Sequence, residues 1–431
     1  MNVSLQSLQA ALDPLVGGSA RVADDADTVA GVRPQLVVEP GNEEQVSAVL
    51  AFANREGLKV LVRGGGTQLG LGFPPTGSDI LLSTARMNQL VEHAPHDMTA
   101  TVQVGMRLAD LQSALAHARQ WLALDPLLGP SATIGGIIAT TASGPRRLRY
   151  GGVRDQIIGV RVVLPDGTIA KGGGKVVKNV AGYDLHRLFT GSLGTLGVIV
   201  AANFRLYPLP AASRTVELTA PELAPLCDLA LRVNGSTLMP TILDILSPTT
   251  QDGIYRLIAR FEMEEEAADD QAAELVEMAG SLGRAAQTIA SEAEAQLWSQ
   301  VDTHVAAPSS SETTLVLKAS VLLTEVGHWL ASLQETIRQG KLSARWRAHA
   351  GHGLIFVRLF GDDAALVTAL EALRQVATRR QGSLVVLEAP PPLLRQVDVW
   401  GTSPALEVMR RLKARFDPHT TLNPGRFIGG I

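Results

Sequence analysis

The chain has 431 residues, of which 46% are hydrophobic and 19% charged, and its formal net charge is −4. A chain of this length is too long for one ordinary hydrophobic core, so two domains are expected. Its slightly negative net charge disfavours binding to DNA or RNA. The single cysteine, Cys227, excludes an internal disulfide, and this chain alone cannot hold an iron–sulfur cluster or a cysteine-based zinc site. No apolar run reaches eighteen residues, so no transmembrane helix is predicted.

The first predicted elements form a β-α-β unit. Residues 1–29 lack the basic start and cleavage site of a signal peptide, and a short amphipathic helix is expected there. Leu36 to Glu39 is rich in β-forming residues, and Asn42 can cap a helix that Gly57 ends. A second strand is predicted from Leu58 to Val62, and it runs into a triple glycine.

The region from Asp79 to Leu206 is predicted to mix short strands with glycine-rich loops. The predicted strands are Ile80–Leu82, Ala100–Val104 and Val160–Leu164, and the predicted helix is Leu108–Arg119. The glycine-dense loops lie at 129–136, 151–152, 172–174 and 191–197. The sequence pattern of short strands and glycine-dense loops ends after "LYPLPAASR", which places a domain boundary near Pro210.

The C-terminal part contains the β-α-β-β-α-β order of ferredoxin-like folds. Its predicted elements are strand Thr313–Ala319, helix Glu325–Gln339, strands Ser343–Ala350 and Leu354–Phe360, helix Asp363–Arg380 and strand Ser383–Leu387. A fainter copy begins with strand Arg214–Leu218 and continues through helices near 222–234 and 264–280. The predicted fold class is therefore α+β, in which one antiparallel sheet is covered by helices.

The triple glycine Gly64–Gly66 raises the question of a bound phosphate. Successive glycines can turn their backbone amides inward to form an anion-binding nest, although an ordinary turn has the same sequence. The Rossmann pattern fails because Gly70 comes one residue too late and Phe73-Pro74-Pro75 follows where a helix should begin. The P-loop of nucleotide triphosphatases fails as well, since Val176 follows Lys175 in place of Ser or Thr.

Two further glycine clusters follow: "GPSATIGGIIATTASG" from Gly129 to Gly144, and "HRLFTGSLGTLGVI" from His186 to Ile199. The first of them could also be a helix that packs tightly through Gly135 and Gly136. A glycine inside a helix or strand lowers the stability of the fold by about 0.5–1 kcal/mol relative to alanine. So many glycines therefore indicate positions where bare backbone is required. Three separated glycine loops favour a long ligand that is contacted at several points, such as FAD.

In this order the three motifs resemble the FAD-binding domain of the vanillyl-alcohol oxidase superfamily, also called the PCMH-type fold, over roughly residues 30 to 210. They are "VVEPGNEEQVSAVLAFA" leading into "VLVRGGGTQLG", "GPSATIGGIIATTASG" followed by "YGGVRDQIIGVRVVLPDG", and "HRLFTGSLGTLGVI". Within the superfamily, "GGKVVKNVAGYDLHRLFTGSLGTLGVI" is most similar to the family of FAD-binding subunits of bacterial glycolate oxidase (glycolate dehydrogenase) complexes. The ending "FDPHTTLNPGRF" is also similar to that of the superfamily.

The resemblance implies a two-part PCMH-type domain at 30–210, a cap domain at 211–412 and a segment at 413–431 that returns to the cofactor. It implies that the first loop wraps the FAD pyrophosphate, that the second lines the dinucleotide and flavin, that the third approaches by main chain, and that Asn423 lies near the ring. The implied FAD-binding residues are Arg63, Gly64, Gly65, Gly66, Thr67, Gln68, Leu69, Gly70, Pro130, Ser131, Thr133, Gly135, Gly136, Ala139, Gly144, Gly194, Gly197, Val198, Ile199 and Asn423. Thr67 stands where several superfamily members carry a histidine that bonds FAD covalently, so non-covalent FAD is expected.

The catalytic residues stay unassigned. Related 2-hydroxy-acid dehydrogenases carry H-x-G-D-G-N-x-H, which holds a metal and the substrate carboxylate, whereas this chain has "HAGHGLIF" from His349 to Phe356. His352, Leu354 and Phe356 replace the Asp, the Asn and the last His, so no metal is expected and local hydrogen bonding is favoured for both histidines. Glu388 and the pair Tyr183-Asp184 are ambiguous candidates.

The resemblance further implies oxidation of glycolate or a related 2-hydroxy acid, with an iron–sulfur subunit and a second FAD-binding subunit as partners. A cytoplasmic location is expected, with partners able to hold the complex at the inner face of the membrane. Lys171, Lys175 and Lys178 form either a solvated loop, a docking surface or a contact to FAD phosphate. Two alternatives stay open: a self-sufficient dehydrogenase, and a scaffold subunit whose cofactor site is vestigial.

Overall fold

The computed structural model describes residues 4–127, 129–175, 183–249, 253–305 and 313–431, with the side chain of Pro130 left out. These residues form two compact units. The first contains the described parts of 1–143, 152–209 and 394–431, and the second those of 144–151 and 210–393. Residues 394–412, which the sequence division assigned to the cap domain, thus belong to the first unit. Lys178 and Gly182 lie outside the described residues.

The helices are α1 Leu5–Leu12, α2 Glu43–Glu56, α3 Leu108–Ala116, α4 Ile134–Thr140, α5 Arg147–Tyr150, α6 Val153–Gln156, α7 Leu185–Phe189, α8 Ala224–Asn234, α9 Glu265–Ser281, α10 Ser291–Thr303, α11 Val326–Gly340, α12 Asp363–Arg379, α13 Pro391–Leu394 and α14 Leu406–Phe416. The strands are β1 Ala20–Val22, β2 Leu36–Val38, β3 Val60–Arg63, β4 Ile80–Ser83, β5 Leu90–Ala94, β6 Thr99–Gln103, β7 Gln120–Trp121, β8 Ile157–Val163, β9 Ile169–Gly173, β10 Val198–Arg205, β11 Tyr207–Pro208, β12 Ala212–Ala220, β13 Ile242–Leu246, β14 Tyr255–Met263, β15 Ala286–Ile289, β16 Thr314–Ser320, β17 Ser343–His349, β18 Leu354–Phe360 and β19 Ser383–Glu388.

The first unit begins with the predicted β-α-β unit. Strands β2, β4 and β3 are parallel, and β1 joins β2 antiparallel in the order β1-β2-β4-β3. Asn42 accepts a hydrogen bond from the Gln45 amide at the start of α2, and Gly57 ends the helix with a left-handed φ of 69°. The buried stripe of α2, from Val46 to Ala53, packs on this sheet. Every residue of β2 and β4 is buried, as is usual for parallel strands covered on both faces.

A second sheet in the first unit supports the other glycine segments. Its order is β5-β6-β10-β8-β9, and all pairs are antiparallel. Helices α3 and α4 pack on one face of it through Leu111, Leu115 and Ile138. Strand β10, which the sequence analysis did not predict, starts directly after the third glycine cluster, so the sheet fixes where that cluster ends.

The C-terminal segment returns to the edge of β3. The Val60 amide donates to the Thr421 carbonyl at 2.8 Å, and the Asn423 amide donates to the Val60 carbonyl at 2.9 Å. This segment therefore extends the parallel sheet by a short bridge between Val60 and Leu422. Residues 421–423 are therefore held to the start of β3, the strand that leads into the first glycine loop.

The second unit is built on one antiparallel sheet in the order β15-β12-β14-β13-β17-β18-β16-β19. The predicted β-α-β-β-α-β elements are β16, α11, β17, β18, α12 and β19. The fainter copy is complete: β12, α8, β13, β14, α9 and β15. The sequence did not predict strands β13, β14 and β15. Helix α10 follows β15 and is an addition to the β-α-β-β-α-β order of the fainter copy.

No helix among the described residues is both long enough and apolar enough to cross a membrane.

Buried polar groups accumulate on one face of the eight-stranded sheet. His304, after α10, makes a hydrogen bond of 2.9 Å from its Nε2 to Ser247 Oγ, which also accepts from the Trp346 amide at 3.0 Å. Burial, with Arg347 nearby, lowers the pKa of His304 to about 4 from an ordinary value of 6.5. The imidazole is therefore neutral in the folded unit at neutral pH.

His304→Gln should flatten the dependence of stability on pH. Between pH 6.5 and about 4 the unfolded chain binds a proton that folded His304 does not, so the free energy of unfolding falls as the pH is lowered through this window. Removing the imidazole should reduce that fall by about 3 kcal/mol, as measured by urea unfolding at several pH values. His328→Gln, an exposed imidazole of the same unit, is the matched control. Equal pH profiles for the two variants would contradict this assignment.

Candidate cofactor site

A cleft of about 850 Å³, including its part open to solvent, lies within the first unit. It is bounded by the end of β3, by α4, by the start of β10 and by the C-terminal segment. Fourteen of the twenty residues predicted to bind FAD line it: Gly64, Gly65, Gly66, Thr67, Gln68, Leu69, Gly135, Gly136, Ala139, Gly194, Gly197, Val198, Ile199 and Asn423. The three glycine segments, distant in sequence, thus meet at one place.

The first loop follows β3 and contacts the residues before α4. The Gly65 amide donates to Thr133 Oγ1 at 3.0 Å. A Cβ atom on Gly64 would collide with the same hydroxyl, and one on Gly65 would lie 2.6 Å from the Ser131 carbonyl oxygen. Glycine is needed at both positions because the two loops touch there, backbone to side chain and backbone to backbone.

The tip of the first loop leaves backbone donors unused. Among the residues that the structure describes, the amides of Gly66, Thr67 and Gln68 donate to no acceptor. Gly66 has a left-handed φ of 78°. Successive amides in such a turn form a concave anion-binding nest. The loop at the end of β3 therefore has the chemistry to bind a phosphate by its main chain.

Helix α4 forms the second wall. Thr133 caps it by accepting the Gly136 amide at 3.4 Å. A Cβ atom on Gly135 would lie 2.9 Å from Val104 Cβ, so this helix packs tightly on the strand beside it. Both interpretations of the second cluster apply, since the same glycines allow the packing and line the cleft.

The third wall joins the 193–194 turn to the C-terminal segment. Leu193 and Gly194 have left-handed φ values of 51° and 67°. The Asn423 side chain donates from Nδ2 to the Leu193 carbonyl at 2.7 Å and accepts from the Val62 amide at 3.1 Å. Asn423 itself has φ 44°, a conformation that Asn tolerates better than most residues. One side chain thus fixes two walls of the cleft.

The remaining predicted residues lie elsewhere. Arg63 donates from Nη1 to the buried Asp27 at 2.9 Å, and Ser131, Thr133 and Gly70 lie in the loops without lining the cleft. Gly144 belongs to the second unit, and the side chain of Pro130 lies outside the described residues. The lining residues that the sequence analysis missed are Val62, Thr84, Val104, Ala132, Ile137, Thr140, Ala142, Leu193 and Arg426. A cation directly after Asn423-Pro424-Gly425 was a signal for Arg426.

The altered motif lies in the second unit, where His349 is hydrogen-bonded. Both ring nitrogens of His352 are buried without a hydrogen-bond partner among the described residues, so the local hydrogen bonding expected for both histidines is wrong for His352. His349 Nδ1 lies 2.8 Å from Oδ1 of the buried Asp244, whose other oxygen accepts from Arg347 Nε at 2.7 Å. Burial raises the pKa of Asp244, but His349 and Arg347 together hold it below its ordinary value. Burial also lowers the pKa of His352 to about 3. Among the described residues, no group of three or more His, Cys, Asp or Glu could hold a metal ion.

The other candidates of the sequence analysis are exposed. Tyr183, which the sequence paired with Asp184 as a candidate, is 89% exposed. The Glu388 side chain is also largely exposed and lies 3.7 Å from Arg358. Lys171 and Lys175 line a separate groove on the five-stranded sheet, where Lys175 pairs with Glu92, and they do not line the cleft. Lys178 lies outside the described residues.

Comparison with known proteins agrees with this geometry. Residues 34–173 match the family model of the FAD binding domain, and residues 216–385 and 401–427 match that of the C-terminal domain of FAD linked oxidases. The chain is 27% identical to glycolate oxidase subunit GlcD of Bacillus subtilis (strain 168), over 91% of this chain and 88% of that protein. It is 29% identical to D-lactate dehydrogenase of Archaeoglobus fulgidus, over 91% of each chain.

The solved structure of p-cresol methylhydroxylase with substrate bound superposes with a TM-score of 0.79 at 15% identity, covering 99% of this chain and 97% of that one. At this identity the likeness shows the fold, and it confirms the predicted α+β, PCMH-type architecture. The two matched domains and the relatives over nearly the whole length lead to one conclusion. The chain is an FAD-linked oxidoreductase and belongs to the family of FAD linked oxidases.

Proposed function

We propose that this chain binds FAD without a covalent bond and takes part in oxidising glycolate, or a related small 2-hydroxy acid, to the 2-oxo acid. In this proposal it acts as the FAD-binding subunit of a glycolate oxidase complex. The convergence of three glycine segments and Asn423 on one cleft carries the cofactor part. The names of the relatives, glycolate oxidase subunit GlcD and D-lactate dehydrogenase, support the substrate class.

The residues of the cleft fit FAD. The free amides of Gly66, Thr67 and Gln68 suit a pyrophosphate, and the buried guanidinium of Arg426 adds positive charge. The other walls are mostly apolar or bare backbone, against which a flat ring can lie. The described lining contains no histidine or cysteine. By the resemblance, Thr67 stands where several superfamily members carry the histidine that bonds FAD, so non-covalent binding is expected.

Bound FAD would supply the acceptor for the hydride of the hydroxy acid. In this proposal, the chain's own residues hold the cofactor in the cleft. Asn423 keeps the end of β3 and the 193–194 turn in a fixed relation. In the second unit Asp244 is hydrogen-bonded to His349 and accepts from Arg347. The part of the chain that the structure describes contains no group of three or more His, Cys, Asp or Glu that could hold a metal ion.

Partners complete the proposed reaction. With a single cysteine, this chain alone cannot hold an iron–sulfur cluster, so electrons would pass to a separate iron–sulfur subunit. A second FAD-binding subunit with the intact H-x-G-D-G-N-x-H motif would hold the substrate carboxylate. Association with the membrane, where it occurs, would come through these partners.

Purification of the native protein from its source tests the proposal. The expected material contains this chain, an iron–sulfur polypeptide and a second flavoprotein, and acid precipitation releases all FAD into the supernatant. Anaerobic glycolate should bleach the visible flavin absorbance of the complex much faster than that of the isolated, FAD-loaded chain. D-lactate and D-2-hydroxyglutarate are the comparison substrates.

Three results would contradict the proposal. An isolated chain that reduces an artificial acceptor with glycolate as fast as the complex does would be a self-sufficient dehydrogenase. A chain that emerges flavin-free and does not bind added FAD would have a vestigial site. Flavin that stays with the precipitated polypeptide would overturn the non-covalent assignment.

Gly194→Ala should weaken FAD binding by about five- to thirtyfold, because the loss of a hydrogen bond and its geometry costs roughly 1–2 kcal/mol. A Cβ atom there would lie 2.8 Å from Asn423 Nδ2 and would push the amide off the Leu193 carbonyl. The measurement is the dissociation constant of FAD from the apoprotein, by quenching of flavin fluorescence.

Gly283→Ala is the matched control for this variant. Gly283 has a φ of 70°, close to the 67° of Gly194, but a Cβ atom on it would meet nothing within 4 Å. Both variants therefore suffer the backbone strain of alanine in a left-handed conformation, and Gly194→Ala alone adds the collision with Asn423. Equal FAD affinity in the two variants would show that the Asn423 contact does not shape the cleft.

A further inference from the structure

Arg426 brings a buried positive charge to the cleft. Its side chain is 4% exposed and follows the turn at Gly425, whose φ is 80°. The Arg426 carbonyl accepts from the Phe73 amide at 3.0 Å and from Trp400 Nε1 at 3.1 Å, which fixes the backbone. The position of this residue is therefore set by the fold before any ligand binds.

One terminal nitrogen of the Arg426 guanidinium donates hydrogen bonds within the protein, and the other donates none among the described residues. Nη2 donates to the Leu69 and Leu71 carbonyls at 2.7 and 2.6 Å, at the end of the first glycine loop. Nη1 is buried and has no acceptor in the part of the chain that the structure describes. Arg426 is one of the residues that line the cleft, so the unused donor belongs to a side chain of the cleft wall.

The other buried arginines of the described chain have a carboxylate nearby, and Arg426 has none. Arg347 pairs with Asp244 at 2.7 Å, and Arg358 lies 3.7 Å from Glu388. Among the described residues, no Asp or Glu oxygen lies within ion-pair distance of Arg426. Burial lowers its pKa to about 10, and no neighbouring charge offsets that shift.

A buried charge without a partner is costly, and the cost of several kcal/mol is recovered when an anion binds. The guanidinium still carries its charge at neutral pH, because a pKa of about 10 is well above 7. The described residues supply no counter-charge, and an anion bound in the cleft that Arg426 lines would provide one.

We propose that Arg426 binds a negatively charged group of FAD through Nη1, an inference that rests on the proposed cofactor site. FAD carries negative charge on its pyrophosphate, and the pyrimidine part of the flavin becomes negative on reduction. Both groups present acceptors that form charge-assisted hydrogen bonds with a guanidinium. Arg426 joins Leu69 of the first loop to the ligand, so it couples the C-terminal segment directly to cofactor binding.

Arg426→Met and Arg426→Gln test the contact in the full-length apoprotein. Both remove the charge, and Gln can still donate to the Leu69 or Leu71 carbonyl. We expect each variant to weaken FAD binding by about tenfold or more, since hydrogen bonds to charged groups contribute roughly 1.5–3 kcal/mol. Arg411→Met, an exposed arginine on α14, is the matched control and should bind FAD as the wild type does.

Two further measurements distinguish the anionic groups of FAD. If Nη1 binds the pyrophosphate, ADP should lose affinity by a factor similar to that for FAD. If it binds the flavin, ADP affinity should stay unchanged and the midpoint potential of bound FAD should fall, because reduction no longer gains a neighbouring positive charge. Either result supports the proposal.

If Arg426→Met bound FAD with the same affinity and midpoint potential as Arg411→Met, the proposed contact would be overturned. If Arg426→Met does not fold, the same comparison with Arg426→Gln decides. Since these titrations use no hydroxy acid, a wild-type protein that binds FAD but leaves glycolate unoxidised would contradict the proposed substrate and not this contact.

Discussion

A buried ion pair between Lys413 and Asp417 fixes the geometry on which the cleft depends. Lys413 is 7% exposed, and its ammonium donates to Asp417 at 2.6 Å, to the Thr195 carbonyl at 2.8 Å and to the Leu422 carbonyl at 2.9 Å. Asp417 accepts the amides of Thr421 and Leu422, each at 2.8 Å. Burial lowers the pKa of Lys413, and loss of either partner would strand a buried charge at a cost of about 3–5 kcal/mol. The C-terminal turn and the third glycine cluster are thereby locked to each other.

Several glycines of the cleft are required by contacts within the protein, and not by contact with a ligand. The Cβ positions of Gly64, Gly65 and Gly194 point at Thr133, Ser131 and Asn423, so a side chain would separate the walls before it reached any ligand. Bare backbone allows the loops to approach each other, and the cleft is the space that remains between them. Gly66 differs, because a Cβ atom there would meet only Leu69 at 3.7 Å, and the amides beside it are unused. The ligand-facing part of the first loop is therefore its tip.

The sequence predicted the long periodic elements of the second unit and the three glycine segments, since these carry local signals. It missed β13 and β14, in which Asp244, Arg256 and Arg260 interrupt the apolar pattern to supply a buried polar face. The helix predicted to Arg119 ends at Ala116, and Arg119 has a left-handed φ of 55°. Arg426 and Lys413 escaped prediction because their partners, Leu69 and Thr195, lie hundreds of residues away. The sequence around each residue does not show which distant residue it contacts, and these pairings appear when the chain is folded.

The central claim is that one cleft of the first unit, closed by the C-terminal segment, binds FAD. The most direct measurement is an experimental structure of the FAD-loaded full-length protein. We expect the pyrophosphate at the amides of Gly66, Thr67 and Gln68, the flavin within reach of Asn423, and Arg426 Nη1 on an anionic group of the cofactor. FAD bound elsewhere in the molecule, or in this cleft with Arg426 and the first-loop amides left without contact to it, would contradict the account.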